Sequence, residues 1–162
     1  FFVLIIGFLL GLTIKYCYEL TNFKPYEWKS DPIVVNCYGP DFSELQMIRA
    51  IDYWTLRGYN IAFYEHNPPE SICVQEKIIH GFIILRKASV HELNDDTLAS
   101  TKRATSGLIL KGAEIKYRPG SQNLDLINEH ELGHALGFTH IEIIGHIMHP
   151  IYSKMGSKFW IP

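Results

Sequence analysis

The stretch "NEHELGHALGFTH", Asn128 to His140, constrains the fold of this chain more than any other feature. On an α-helix, residues four apart lie on one face, one turn above each other. A helix through His130 and His134 therefore brings two imidazoles to one point. Glu131 is rotated off that axis, where it can reach a water beside the point without becoming a ligand. A further turn would carry a third side chain too far along the axis. Gly137 is where the chain can leave, because glycine takes the left-handed conformation at little steric cost. His140 can then swing back. Zinc wants about four ligands, and a catalytic zinc leaves one position to water. Helix-surface histidines beside a capping glycine are the plainer reading, but that explains Gly137 and leaves the spaced histidines and the glutamate unexplained.

"HELGHALGFTH" resembles the long zinc-binding motif of the metzincin metalloproteases, HExxHxxGxxH. "HIMHPIY" follows, with Met148 placed like the methionine of the metzincin Met-turn and Pro150-x-Tyr152 placed as in the matrixin branch. The resemblance implies one catalytic zinc on His130, His134 and His140, with Glu131 as general base and Met148 packed beneath. It implies an α/β (α+β) fold with a mixed, mostly parallel twisted sheet, an antiparallel edge strand, a backing helix and an active-site helix. "TLASTKRATSGLILKGAEIKY" is similar to the matrixin edge-strand region. Leu98 and Ala99 would then pair with an extended substrate, and Pro150 and Tyr152 would wall the pocket opposite. The function implied is endopeptidase cleavage of protein or peptide substrates.

There are departures from the matrixin pattern. Ile141 stands where matrixins have serine after the third histidine. His80 and His91 lack companions for a structural zinc, and no calcium-binding loop is recognisable, so structural calcium is not expected. "NCYGPDF" around Cys37 looks only faintly like a propeptide cysteine switch. His146 and His149 read as solvated loop histidines.

Upstream, the pattern gives strand, helix, strand, a meander of strands and a late helix, an α/β or α+β arrangement with one mixed sheet. "PIVVNCYG" is a short strand, and Asp41 or Ser43 can cap a helix to about Leu56, with Leu45, Ile48, Ile51, Asp52 and Leu56 at helical spacing. Gly58 stops it. "YNIAFYEH" and "KIIHGFIILRKASV" read as strands separated by a break at "NPPES". The polar run at "TLASTKRA" suits an exposed edge, "GAEIKYR" makes another strand, and the motif helix starts near Leu124. Three cysteines give no metal-knuckle spacing. Cys37 and Cys73 could bridge in an oxidising compartment, but they fall towards opposite ends of neighbouring strands, so Cys37 reads first as a small buried hydrophobe.

Residues 1–14 carry no charge, and Lys15, Tyr16 and Tyr18 follow as interfacial types do. We read 1–18 as a truncated membrane anchor or uncleaved signal, with a buried core helix as the competing reading. Residues 19–31 then form a juxtamembrane linker, and 32–162 the catalytic domain. That arrangement makes the protein membrane-anchored or secreted, with a membrane contact through the apolar segment and a monomer favoured. Net charge is −2, which gives no basic surface for nucleic acid. Two rival functions stay open: a zinc-stabilised non-catalytic interaction module, and a zinc hydrolase of small amides or cell-wall peptides.

Overall fold

The computed structural model describes residues 23–89 and 91–161. Its strands are β1 (Glu27–Trp28), β2 (Ile33–Asn36), β3 (Phe63–Glu65), β4 (Phe82–Lys87), β5 (Ala99–Ser106) and β6 (Ile109–Tyr117). The helices are α1 (Glu44–Thr55), the short α2 (Glu70–Cys73) and α3 (Ile127–Ala135). The sheet runs β1-β6-β4-β2-β3 with every neighbour parallel, and β5 adds antiparallel to the other side of β6. The expected mostly parallel sheet with an antiparallel edge is the observed one. Val34, Ile83, Leu85, Ala113, Ile115 and Tyr117 are fully buried sheet residues in the core shared with α1 and α3. Buried strands of this kind read as near-continuous apolar runs, as "IVV" and "FIIL" do.

Ser43 caps α1 by accepting from the Gln46 backbone N–H, and Gly58 adopts φ 84 where the chain turns away. The buried stripe of α1 is Met47, Ala50 and Trp54. This corrects the expected face: Leu45, Ile48 and Leu56 are exposed. Trp54 decides the rotation, because its indole stacks on Phe138 at 5.0 Å and donates to the Glu129 carbonyl at 2.7 Å. One large aromatic buries more surface than a leucine and carries a polar handle that needs a partner.

Two further expectations are corrected. Cys37 and Cys73 form a disulfide, with Cα atoms 5.2 Å apart. Cys73 is not on a strand: "NPPES" leads into α2, which returns the chain over the end of β2. Arg86 holds that return by donating to the Cys73 and Gln75 carbonyls. Phe23, expected within a linker, is buried in the core, and Trp28 of β1 packs against it. The apolar segment 1–18 lies outside the described residues. Among those described, no helix is long and apolar enough to cross a membrane.

The disulfide spans 36 residues of sequence. Replacing both cysteines by serine is expected to cost about 3–4 kcal/mol on the loop-entropy account. Urea denaturation of the oxidised protein beside the double variant measures this.

Candidate metal centre and cleft

Helix α3 is buried on most of its circumference, with Ile127, Asn128, His130, Glu131, Leu132, Gly133 and Ala135 all enclosed. Two indoles hold its backbone: Trp54 at the Glu129 carbonyl, and Trp28 at the Ala135 carbonyl at 2.9 Å. It begins at Ile127 rather than Leu124, after a 3-10 turn at Ser121–Asn123. Leu126 precedes it with φ 63, a left-handed conformation that costs a non-glycine residue about 1–2 kcal/mol.

The helix ends where the motif requires. Gly137 has φ 109, its N–H bonds to the His134 carbonyl at 3.1 Å, and the Phe138 N–H bonds to the Gly133 carbonyl at 3.0 Å. This pair of bonds is the Schellman termination. A side chain at 137 would also collide with the Tyr26 carbonyl. From there the Thr139 N–H bonds to the Phe23 carbonyl at 2.8 Å, and His140 turns back.

The three Nε2 atoms converge. His130 lies 3.1 Å from His134, His134 3.0 Å from His140, and His140 3.3 Å from His130. Tetrahedral bonds of zinc–histidine length imply donor separations of about 3.3 Å. His130 Nδ1 lies 2.8 Å from the Ile147 carbonyl, and His134 Nδ1 lies 2.9 Å from the Phe138 carbonyl. Only a protonated Nδ1 can donate there, which leaves each Nε2 with a free lone pair. Burial pulls the His130 imidazole down to about 4, and lowers His134 and His140 as well. All three are therefore neutral imidazoles at neutral pH, the form that binds a metal. The group fits a metal ion.

Glu131 lies beside this cluster, buried, and burial pushes its carboxyl up to about 7. Its one side-chain partner among the described residues is Thr101 of β5, whose hydroxyl donates to Oε2 at 2.6 Å. Beneath, Met148 is fully buried. A Cβ at Gly133 would overlap the Met148 Sδ and come within 2.6 Å of Trp54, so glycine there admits both side chains. The Ile141 N–H bonds to the Met148 carbonyl at 3.0 Å, tying the His140 loop to this turn.

A cleft of about 530 Å³ opens over the three histidines and Glu131. Leu98, Ala99, Pro150 and Tyr152 all line it, together with Asp96, Thr101 and Arg103. Arg103 lies one side-chain repeat beyond Thr101 on β5. Its Nη1 donates to the His134 and Phe138 carbonyls, both at 3.2 Å, and its guanidinium lies 4.9 Å from the Tyr26 ring centroid.

The matrixin family model matches residues 50–161. The chain belongs to the matrixin family. Matrixins are zinc metalloproteases, typically extracytoplasmic, and the disulfide is consistent with such a compartment. A comparison with curated proteins finds no match. The matrixin match contains the three histidines, Glu131 and Met148, whereas β1 and β2 lie ahead of it.

His146 and His149, expected to be solvated, are buried in this matrixin. His146 Nδ1 accepts from the Met148 N–H at 3.0 Å, and its Nε2 lies 3.1 Å from the Trp160 carbonyl. The ring thus fastens the tail to the methionine turn. Thr101 and Arg103 were missed as site residues. The signal for them was available in principle, because period-two alternation along β5 puts both on the face that covers α3.

Burial of neutral histidines fixes a pH dependence for the metal-free protein. A folded-state pKa below the ordinary 6.5 gives stability that is present above about 6.5 and lost as pH falls through the folded value. His130, His134, His140 and His146 all act in this sense. The raised carboxyls of Glu129 and Glu131 oppose it, but are outnumbered. The urea midpoint of metal-free protein is expected to be lower at pH 5 than at pH 7.5.

Proposed function

We propose that this matrixin is a zinc-dependent endopeptidase acting on extended polypeptides in an extracytoplasmic compartment. The convergence of the three histidine Nε2 atoms on the floor of an open cleft, with Glu131 beside them, carries this reading. His130, His134 and His140 would hold the ion. When bound, zinc supplies Lewis acidity to the scissile carbonyl and to the attacking water.

Glu131 takes the proton from that water and passes it to the leaving amine. Burial raises this carboxyl above the ordinary carboxylate range in the metal-free protein, the direction that suits a group that accepts and returns a proton. Thr101 holds one carboxylate oxygen, which leaves the other to face the reacting atoms. Met148 fills the space under the ligands and keeps the His130 ring and the methionine turn in register through the Ile147 carbonyl. The edge of β5 that no described strand pairs accepts the substrate backbone as an added strand, the Leu98–Ala99 end beside the pocket that Pro150 and Tyr152 wall.

A non-catalytic module has no use for a buried, hydrogen-bonded carboxylate beside its metal ligands, and the open strand edge favours polypeptide over small amides. The test is digestion of denatured casein by the zinc-loaded full chain. Glu131→Gln is expected to keep one zinc and lose at least 10³-fold in kcat, on the order found when a principal catalytic group is removed. Near-normal turnover in that variant would refute the role of Glu131, and cleavage that survives complete removal of zinc would refute the metal chemistry.

Removing only the Thr101 hydroxyl gives a finer check. Thr101→Val is expected to lower kcat about 10- to 100-fold with KM little changed, the scale of a hydrogen bond to a charged group. Thr101→Ser is expected to restore most of it. Steady-state kinetics on one fluorogenic peptide reads both.

A further inference from the structure

Arg103 is half-buried in the cleft wall, and its charge has no carboxylate partner among the described residues. Both of its hydrogen bonds leave from Nη1, so Nε and Nη2 stay unused among those residues. The two carbonyl contacts and the Tyr26 ring hold the guanidinium in place. A pinned guanidinium loses little freedom on binding, and its fork matches a carboxylate. Capping the end of α3 accounts for Nη1 alone.

Its position along the strand sets what meets it. Thr101 touches Glu131, so the cleaved bond lies over that part of β5, and Arg103 is two residues further on. A peptide added antiparallel to β5 runs the opposite way, so residues preceding the cleaved bond lie alongside Arg103. Two strand residues span about 6.6 Å, which puts the contact two or three residues upstream of that bond. Apart from Glu131, the acidic residue lining the cleft is Asp96, which lies on the other side of Thr101, at the Leu98 end. Arg103 thus stands at the upstream end of the cleft and Asp96 at the downstream end.

We propose that Arg103 forms a subsite for an acidic side chain two or three residues before the cleaved bond. The proposal rests on the endopeptidase reading above for its direction, and on the unpaired guanidinium for its chemistry. Arg103 acts here as a specificity residue, outside the proton-transfer steps.

The test uses the zinc-loaded full chain and peptides that differ only in Glu, Gln or Lys at those two positions. They are built on a sequence the protein cuts in denatured casein. For the wild type, kcat/KM is expected to be about three- to tenfold higher for Glu than for Gln, with Lys lower still. That gap should shrink in 0.5 M salt, as screening demands. Arg103→Gln is expected to erase the ranking, Arg103→Glu to invert it, and Arg103→Lys to keep it. Thermal midpoint and zinc content, measured alongside, show whether each variant is folded. Equal rates on all three peptides in the wild type would overturn the proposal, as would a Glu preference that survives in folded Arg103→Gln.

If no peptide is cut, the endopeptidase reading fails on its own account. The subsite is then read by anisotropy of labelled alanine-rich peptides carrying one Glu or one Lys, bound to Glu131→Gln protein. Tighter Glu binding that disappears when Arg103→Gln is added supports the subsite, and no difference between the two peptides overturns it.

Discussion

Two backbone carbonyls, those of Ile147 and Phe138, determine what this site can be. Each accepts a proton from the Nδ1 of a histidine on α3, and so fixes which nitrogen of that ring is left bare. Without them the rings could rotate, or carry the proton on the wrong side. The bare Nε2 atoms of His130 and His134 lie 3.1 Å apart, with His140 Nε2 within 3.3 Å of both, a donor set that suits a shared cation. Metal binding at such a preformed donor set is coupled to folding stability. The positions of Ile147 and Phe138 depend in turn on the methionine turn and the Gly137 exit. The surroundings of α3 thus serve the ligand geometry as much as the core.

Legibility in the sequence followed the range of the interactions. The His130–His134–His140 spacing and the Gly137 exit are local events, governed by helix geometry and the left-handed region, and they read directly. The mostly parallel character of the sheet was also accessible, because parallel buried strands leave continuous apolar runs, but the order of the strands was not. Nor was the rotation of α1. Leu45, Ile48 and Leu56 keep helical spacing as well as Met47, Ala50 and Trp54 do, and only the stack of Trp54 on Phe138, far away in sequence, chooses between the two faces.

The disulfide and the buried His146 were hidden for the same reason. Cys73 reaches Cys37 only because "NPPES" becomes a short helix rather than a plain break. His146 is enclosed by Phe23, Phe159 and Trp160, one from before the first strand and two from the tail. A polar residue in a glycine-flanked loop gives no hint of such company. Thr101 looked like one more hydroxyl on an exposed edge strand, and its meaning depends wholly on Glu131, 30 residues later.

The segment from Phe23 to Trp28 touches the ligand-bearing loop at three points. The Phe23 carbonyl receives the Thr139 N–H, the Tyr26 carbonyl fills the space left by Gly137, and the Trp28 indole holds the Ala135 carbonyl. More than 100 residues of chain separate the two sides of the Trp28 contact. During synthesis the early segment can pair with β6 first, and its contacts with the ligand loop must wait until residues 135–139 have been made. Closure of the site is then a late step, and a slow one, since contacts between distant parts of a chain must overcome loop entropy before they are rewarded. The same arrangement makes the segment a latch: a nick that freed residues 23–28 would leave every ligand in the chain while loosening the loop that carries the third.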